Sequence, residues 1–380
     1  MASLRGALVA ASLLAMAGCA TQPSAPAPAP PPAEAPVPQT PPFPAPTHPG
    51  LIITAVGDMM LGTDFPENIL PDDDGLSFLD AVTPILADAD VTFGNLEGVL
   101  MDGGLPVKQC KNPKICFLFR SPTRYANYFK LAGFDALSLA NNHARDFGEE
   151  GRSSSMAALD AVGIHHSGRE GTTASWIANG RRVALAAFAP NVGANQLNEP
   201  EVARALVADL AATHDIVIVT FHGGAEGNGA ETLPFAREIF AGEDRGNVVE
   251  FARAMVDAGA DIVLGHGPHV VRPLELYRDR LIAYSLGNFA TYYGISVEGI
   301  RGIAPILKVE LDDDGRFVSG RIVSTHQLRP AGPTPDPAQG ALELMRTLTT
   351  AAFPDGELVI GEDGRLSRGT GASSMPPTTP

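Results

Sequence analysis

The sequence predicts an α/β fold in which helices pack on the faces of a β-sheet. Short β-rich apolar runs alternate with helix-length stretches at 121–133, 150–162, 199–212 and 247–258. After about Ile282 the helices give way to strand-like pieces at 304–311 and 317–324, joined by a turn at Asp312-Asp313-Asp314-Gly315. A β-rich second half of the sheet is therefore expected. No fixed-period repeat suggests a solenoid.

The N-terminus reads as a targeting segment. After Arg5 an apolar run extends from Ala7 to Ala17 and ends in Met16-Ala17-Gly18-Cys19. A run this short cannot cross a bilayer as a stable helix, but it suits the core of a secretory signal. Ala17 and Gly18 are the small residues that a lipoprotein signal peptidase needs ahead of its cysteine, because its site admits the backbone without bulky side chains. Residues 1–18 are thus expected to be a lipoprotein signal peptide and Cys19 the lipidated residue. An ordinary secretory signal with an incidental cysteine is the alternative.

Residues 20–50 are crowded with proline and alanine and carry one charged residue, Glu34. Such a segment cannot build a core and is expected to act as a semi-rigid spacer. The expected organisation is a lipidated cysteine and linker over 19–50, a main domain over 51–330, a C-terminal extension with a helix over 331–366, and a disordered tail over 367–380. The expected location is the cell envelope, lipid-anchored. If the host is Gram-negative, Ala20 after Cys19 points to the periplasmic face of the outer membrane.

A net charge of −16 argues against nucleic acid as a partner, because that ligand rewards clustered Lys and Arg. Of the three cysteines, Cys110 and Cys116 remain once Cys19 carries the lipid. In an oxidising compartment they are expected to form a disulfide, with two free thiols as the alternative.

The chemistry collects where strands end. Residues 51–56 run into Gly57-Asp58, 91–93 into Gly94-Asn95-Leu96-Glu97, and 136–139 into Ala140-Asn141-Asn142-His143. Residues 216–221 run into His222-Gly223-Gly224, 262–264 into Gly265-His266-Gly267-Pro268-His269, and 281–284 into Ser285-Leu286-Gly287-Asn288-Phe289. Loops at the carboxyl ends of strands line the binding crevice of an α/β sheet, so these six are expected to converge. Any one of them alone would read as an ordinary turn. Carboxylates from Asp58 and Glu97, an amide oxygen from Asn142 and imidazoles from His222, His266 and His269 form a mixed N/O set suited to Mn, Fe or Zn. One or two such divalent ions are expected. His143 is placed to transfer a proton near neutral pH. The remaining histidines, His48, His165, His166, His214 and His326, read as surface or structural.

Five motifs together resemble a known family: Gly57-Asp58-Met59-Met60-Leu61-Gly62, Asn95-Leu96-Glu97, Asn141-Asn142-His143-Ala144-Arg145-Asp146-Phe147-Gly148, Gly265-His266-Gly267-Pro268-His269-Val270 and Ser285-Leu286-Gly287-Asn288-Phe289. Their order and spacing, over about residues 51–328, are similar to the CapA family of poly-γ-glutamate capsule synthesis proteins. That family is similar to the calcineurin-like metallophosphoesterases. The resemblance implies a metallophosphatase-like sandwich of two mixed β-sheets flanked by helices, with a dinuclear site at the strand ends. It makes Asp58, Glu97, Asn142, His222, His266 and His269 the ligands and His143 the acid, steered by Asp146. Arg145, Asn95, Glu226 and Asn288 become substrate-binding positions.

Two departures bear on activity. Phosphoesterases usually carry a histidine where this chain has Met60, and CapA relatives usually carry an aromatic where it has Gly223. What the resemblance implies is participation in making, anchoring or exporting poly-γ-glutamate, with membrane synthetase subunits and an anionic polymer as partners. A metal-dependent phosphoesterase or amide hydrolase unrelated to capsule, and a polymer-binding scaffold without turnover, are the alternatives. Phosphatase activity does not follow from the fold.

Overall fold

The run LIITAVGDMM at Leu51–Met60 is buried along nearly its whole length. A strand covered on both faces belongs inside a layered sheet rather than on an open one. In the computed structural model, which describes residues 46–108 and 116–369, this strand lies within a ten-stranded mixed sheet. The order is Leu358–Ile360, Arg365–Arg368, Phe317–Gln327, Ile303–Leu311, Leu51–Met60, Val91–Leu96, Ala136–Ser138 and His165–Ser167. Asn288–Thr291 pairs with Leu51–Met60, and Pro333–Pro335 with Phe317–Gln327.

A second, seven-stranded sheet runs Leu274–Tyr277, Arg280–Ala283, Ile262–His266, Ile216–His222, Arg181–Ala189 and Ala174–Ala178, with Asn195–Gln196 beside Arg181–Ala189. Its central strands show why two apolar layers form. Val183, Leu185, Ile216 and Ile218 point inward to meet Ile53, Phe93 and Leu307 of the first sheet. The alternate residues Ala184, Ala186, Val217 and Val219 point outward to Val207, Phe251 and Met255 of the helices Pro200–Ala211 and Val248–Asp257. On the far side of the first sheet, Val56, Leu96 and Leu137 pack against Tyr125, Phe129 and Leu159 of the helices Tyr125–Leu131 and Gly148–Ala161. The result is a helix–sheet–sheet–helix sandwich, as expected.

The sequence boundaries differ from the observed ones by a few residues at most helix ends, where capping signals are weak. Arg181–Ala189 was not foreseen as a strand. Its alanine-rich run carries little β preference, and burial on both faces decides its conformation instead. The segment after 330 contributes three strands to the first sheet and the helix Gly340–Ala352, whose Leu342 and Met345 enter the inter-sheet core. The expected turn forms where Gly315 N donates to Asp312 O at 3.0 Å. Among the described residues no helix is long and apolar enough to cross a membrane. Cys19 and Cys110 lie outside the described residues.

Candidate metal centre

Strand register assembles the site. In the first sheet Asp58 lies opposite Asn95 on one side and Asn288 on the other, and both ladders shift register at this point. In the second sheet His222 lies beside His266. The backbones pass unusually close at Asp58, whose N donates to Gly287 O at 2.8 Å. A Cβ on the preceding Gly57 would lie 2.0 Å from that same oxygen, so only glycine permits this approach. His269 sits at φ 57°, a conformation that non-glycine residues rarely adopt and that clusters at functional sites. It turns the ring back, with Nδ1 3.0 Å from Asn288 Oδ1 and 3.1 Å from Asp58 Oδ2.

A polar frame holds these groups. Asn95 Nδ2 donates to Asp58 Oδ1 at 2.9 Å, and Asn95 Oδ1 accepts from Asn141 Nδ2 at 3.2 Å. Asn288 Nδ2 donates to the carbonyls of His269, Ser296 and Arg301. Asn95 and Asn288 are fully buried and spent on orienting their neighbours. His143 Nδ1 lies 2.7 Å from Asp146 Oδ2; a carboxylate only accepts, so Nδ1 carries the hydrogen and Nε2 faces Glu97 at 4.0 Å.

What the frame leaves unpaired is informative. Asp58 Oδ2 forms no aligned hydrogen bond despite its 3.1 Å approach to the His269 ring, and both Glu97 oxygens, Asn142 Oδ1, His222 Nε2 and both His266 nitrogens are buried without a hydrogen-bond partner among the described residues. Leaving one such group unpaired costs about 1–3 kcal/mol, more if charged, so a cluster of them needs a common partner. Ligand atoms of Asp58, Glu97 and His269 all lie within 4.8 Å of one another. This buried N/O donor set fits a divalent cation.

The electrostatics agree. Burial pushes the Glu97 carboxyl up to about 8, reinforced by Asp58 and Glu226 against the pull of His269. Burial opposes the charged form of His269, but Glu97, Asp58 and Glu226 outweigh it and hold the ring at about 10. Burial would raise Asp58 too, yet contact with His266 and His269 keeps it well below the ordinary carboxylate value. His222 and His143 are pushed down, in both cases chiefly by burial. Protonated His269 supplies among these carboxylates the positive charge that a divalent cation would supply there.

A cleft of about 670 Å³ opens over the site and is lined by Asn142, His143, Glu226 and His269 among the expected residues. Glu226 reaches toward His269 at 4.0 Å and pairs with the buried Arg245 at 2.9 Å. Arg145 does not line this cleft. It borders a neighbouring cavity and binds Glu149 and Val192 O. Lys108, Arg245 and Arg301 also line the cleft and escaped the sequence reading, because a lone Lys or Arg in a polar loop gives no sign of where it points. Met60 is buried in an apolar contact with Phe119 and Ile295 and offers no ligand in place of the usual histidine.

Comparison with known proteins places this site in context. The bacterial capsule synthesis protein family PGA_cap matches residues 52–293. The PGA biosynthesis protein CapA of Bacillus subtilis is 30% identical over 254 residues, covering 62% of this chain and 61% of that one. The capsule biosynthesis protein CapA of Bacillus anthracis is 30% identical over 259 residues, covering 63% and 59%. The chain thus spans about three fifths of the length of these relatives. Among solved structures, a 5'-nucleotidase precursor from Thermus thermophilus aligns at 16% identity with a TM-score of 0.40, over 78% of this chain and 58% of the other. The family match spans well over half of the sequence and includes every residue of the buried donor cluster. The chain belongs to the bacterial capsule synthesis protein family PGA_cap.

Proposed function

We propose that this chain is a lipid-anchored envelope protein that takes part in making, anchoring or exporting poly-γ-glutamate, through a divalent-metal, hydrolase-type centre. The observation that carries the reading is the cluster of buried, unpaired Asp, Glu, Asn and His donors beneath an open cleft in a member of this family. Asp58, Glu97, Asn142, His222, His266 and His269 would hold one or two ions of Mn, Fe or Zn. When bound, such a metal supplies a Lewis acid and an activated water.

The chain's own residues do the rest. Asn95 and Asn288 fix the orientation of Asp58 and His269, the supporting role that tunes ligand basicity. His143, held by Asp146, presents Nε2 as the atom that takes up and returns a proton. Arg301 sets positive charge along the cleft for an anionic chain, whereas Lys108 and Arg245 are held by Asp146 and Glu226. A membrane synthetase would be the partner. Deleting this chain from its host should strip the surface of polymer, and wild type but not Asp58→Ala should restore it. A deletion strain with a full capsule would exclude the reading. Met60 favours a second reading, a scaffold that binds polymer without turnover, because it removes one ligand position.

The anchor is tested separately. A fatty-acid analogue should label the wild type and spare Cys19→Ser, and a soluble, unlabelled wild type would refute lipidation. The Cys110–Cys116 disulfide is part of the same proposal for an oxidising envelope.

Metal uptake should depend on pH. Ligands bind deprotonated, while Glu97 at about 8 and His269 at about 10 hold protons at neutral pH in the metal-free protein. Apparent affinity should therefore rise from pH 6 through 8 and on toward about 10, with proton release on binding. Calorimetry in buffers of different ionisation enthalpy reads that release directly. An affinity flat between about pH 6 and 10 would contradict the assignment of Glu97 and His269 as ligands.

A further inference from the structure

Beside the cleft lies a second cavity of about 270 Å³ that the proposed chemistry does not use. It shares Lys108 and Asn142 with the cleft, so the two are adjoining parts of one surface. The charged residues of its wall are Lys108, Arg145 and Arg152 against the single carboxylate of Asp146. Glu149 is approached by three guanidiniums: Arg169 Nη2 at 2.7 Å, Arg145 Nε at 2.8 Å and Arg152 Nη2 at 3.8 Å. Three cations thus share one carboxylate, in a protein whose net charge is −16. The other nearby ions, Lys108 and Asp146, neutralise each other at 3.0 Å.

Arg152 is the informative member. It is 3% exposed, yet its Nε is buried with no hydrogen-bond partner among the described residues, while Nη1 donates to Gly193 O. A guanidinium taken out of water is costly unless its donors are met, and its planar fork matches a carboxylate. The fourteen-residue helix Gly148–Ala161 opens on the same space at Gly148, adding the positive end of its dipole.

We infer that Arg145 and Arg152 form a carboxylate subsite that holds a free side carboxylate of a polyglutamate-type chain whose neighbouring linkage lies in the cleft. The inference rests on the polymer reading above for the identity of the chain, and on the unmet donor of buried Arg152 beside Arg145 for the site itself. The site discriminates an acidic polymer from a neutral one, which the metal ligands alone do not.

The test titrates a γ-glutamyl decamer and, separately, glutarate into the metal-loaded chain by calorimetry. Wild type is compared with Arg145→Gln, Arg152→Gln and Arg152→Lys, each checked for unchanged circular dichroism and metal content. Arg145 is partly exposed, so its variant reports on the site even if Arg152→Gln fails to fold. Each Gln variant should weaken the decamer roughly ten-fold or more, the loss expected for a charged hydrogen bond, and Arg152→Lys should recover part of it. Glutarate binding should fall in parallel. If the Gln variants bind the decamer as wild type does, the subsite is overturned and the polymer reading stands. If glutarate binds through these arginines and the decamer binds nowhere, the subsite stands and the polymer reading falls. Binding of neither ligand overturns both.

Discussion

Asp58→Ala and His266→Ala should each strip the protein of metal, whereas His143→Ala should keep it. Asp58 and His266 are fully buried, and their side chains meet at 3.4 Å inside the cluster of unpaired donors. Removing either opens a coordination position that no neighbour fills, because the surrounding Asn95 and Asn288 are already committed to other bonds. Removing a supporting residue around a metal costs roughly 10–100-fold in affinity, so losing a ligand should cost at least that much. His143 stands farther out, bonded to Asp146 and with its ring 4.3 Å from that of Phe119 at a tilt of 34°. Its loss should leave metal content unchanged and slow any turnover by roughly 10²–10⁴-fold. Elemental analysis after dialysis reads the first effect, and single-turnover rates read the second. A wild type that keeps no Mn, Fe or Zn would end the metal reading and favour the scaffold. With Met60 in place of a ligand, a stoichiometry nearer one than two fits the same centre.

Much of this centre was legible because strands are local and their ends are marked. Asp58, Asn95, His222 and His266 each follow a run of buried β-branched or aromatic residues, and strand register then sets them side by side. Two kinds of information were not. The conformation of Arg181–Ala189 comes from burial between layers rather than from its alanine-rich composition. The destinations of Arg152, Arg245 and Arg272 depend on partners in other segments, Gly193, Glu226 and Glu238. A buried arginine looks like a surface one in sequence, since its partner is distant: Arg272 and Glu238 lie 34 positions apart.

That distant pair should govern stability. Arg272 is wholly buried, and its Nη1 and Nη2 donate to Glu238 Oε1 and Oε2 at 2.9 and 2.7 Å, while Nε donates to Ala230 O at 2.6 Å. Glu238 Oε2 also accepts from Ala225 N at 2.9 Å. The pair therefore ties the turn carrying His269 to the loop carrying Glu226, two residues that face each other across the cleft. Glu238→Gln removes the negative charge and leaves a guanidinium in the interior, which should cost about 3–5 kcal/mol in denaturant unfolding. The exposed pair Arg237–Asp244 is the control: its side chains are 61% and 36% accessible, and Arg237→Gln should change stability little or not at all. Replacing both buried partners, as Arg272→Met with Glu238→Leu, should recover much of the loss, because no charge is then stranded. The single variant should also hold metal more weakly, as the His269 turn is no longer fixed against its neighbour. Equal unfolding curves for Glu238→Gln and Arg237→Gln would show that the two loops are held by packing alone.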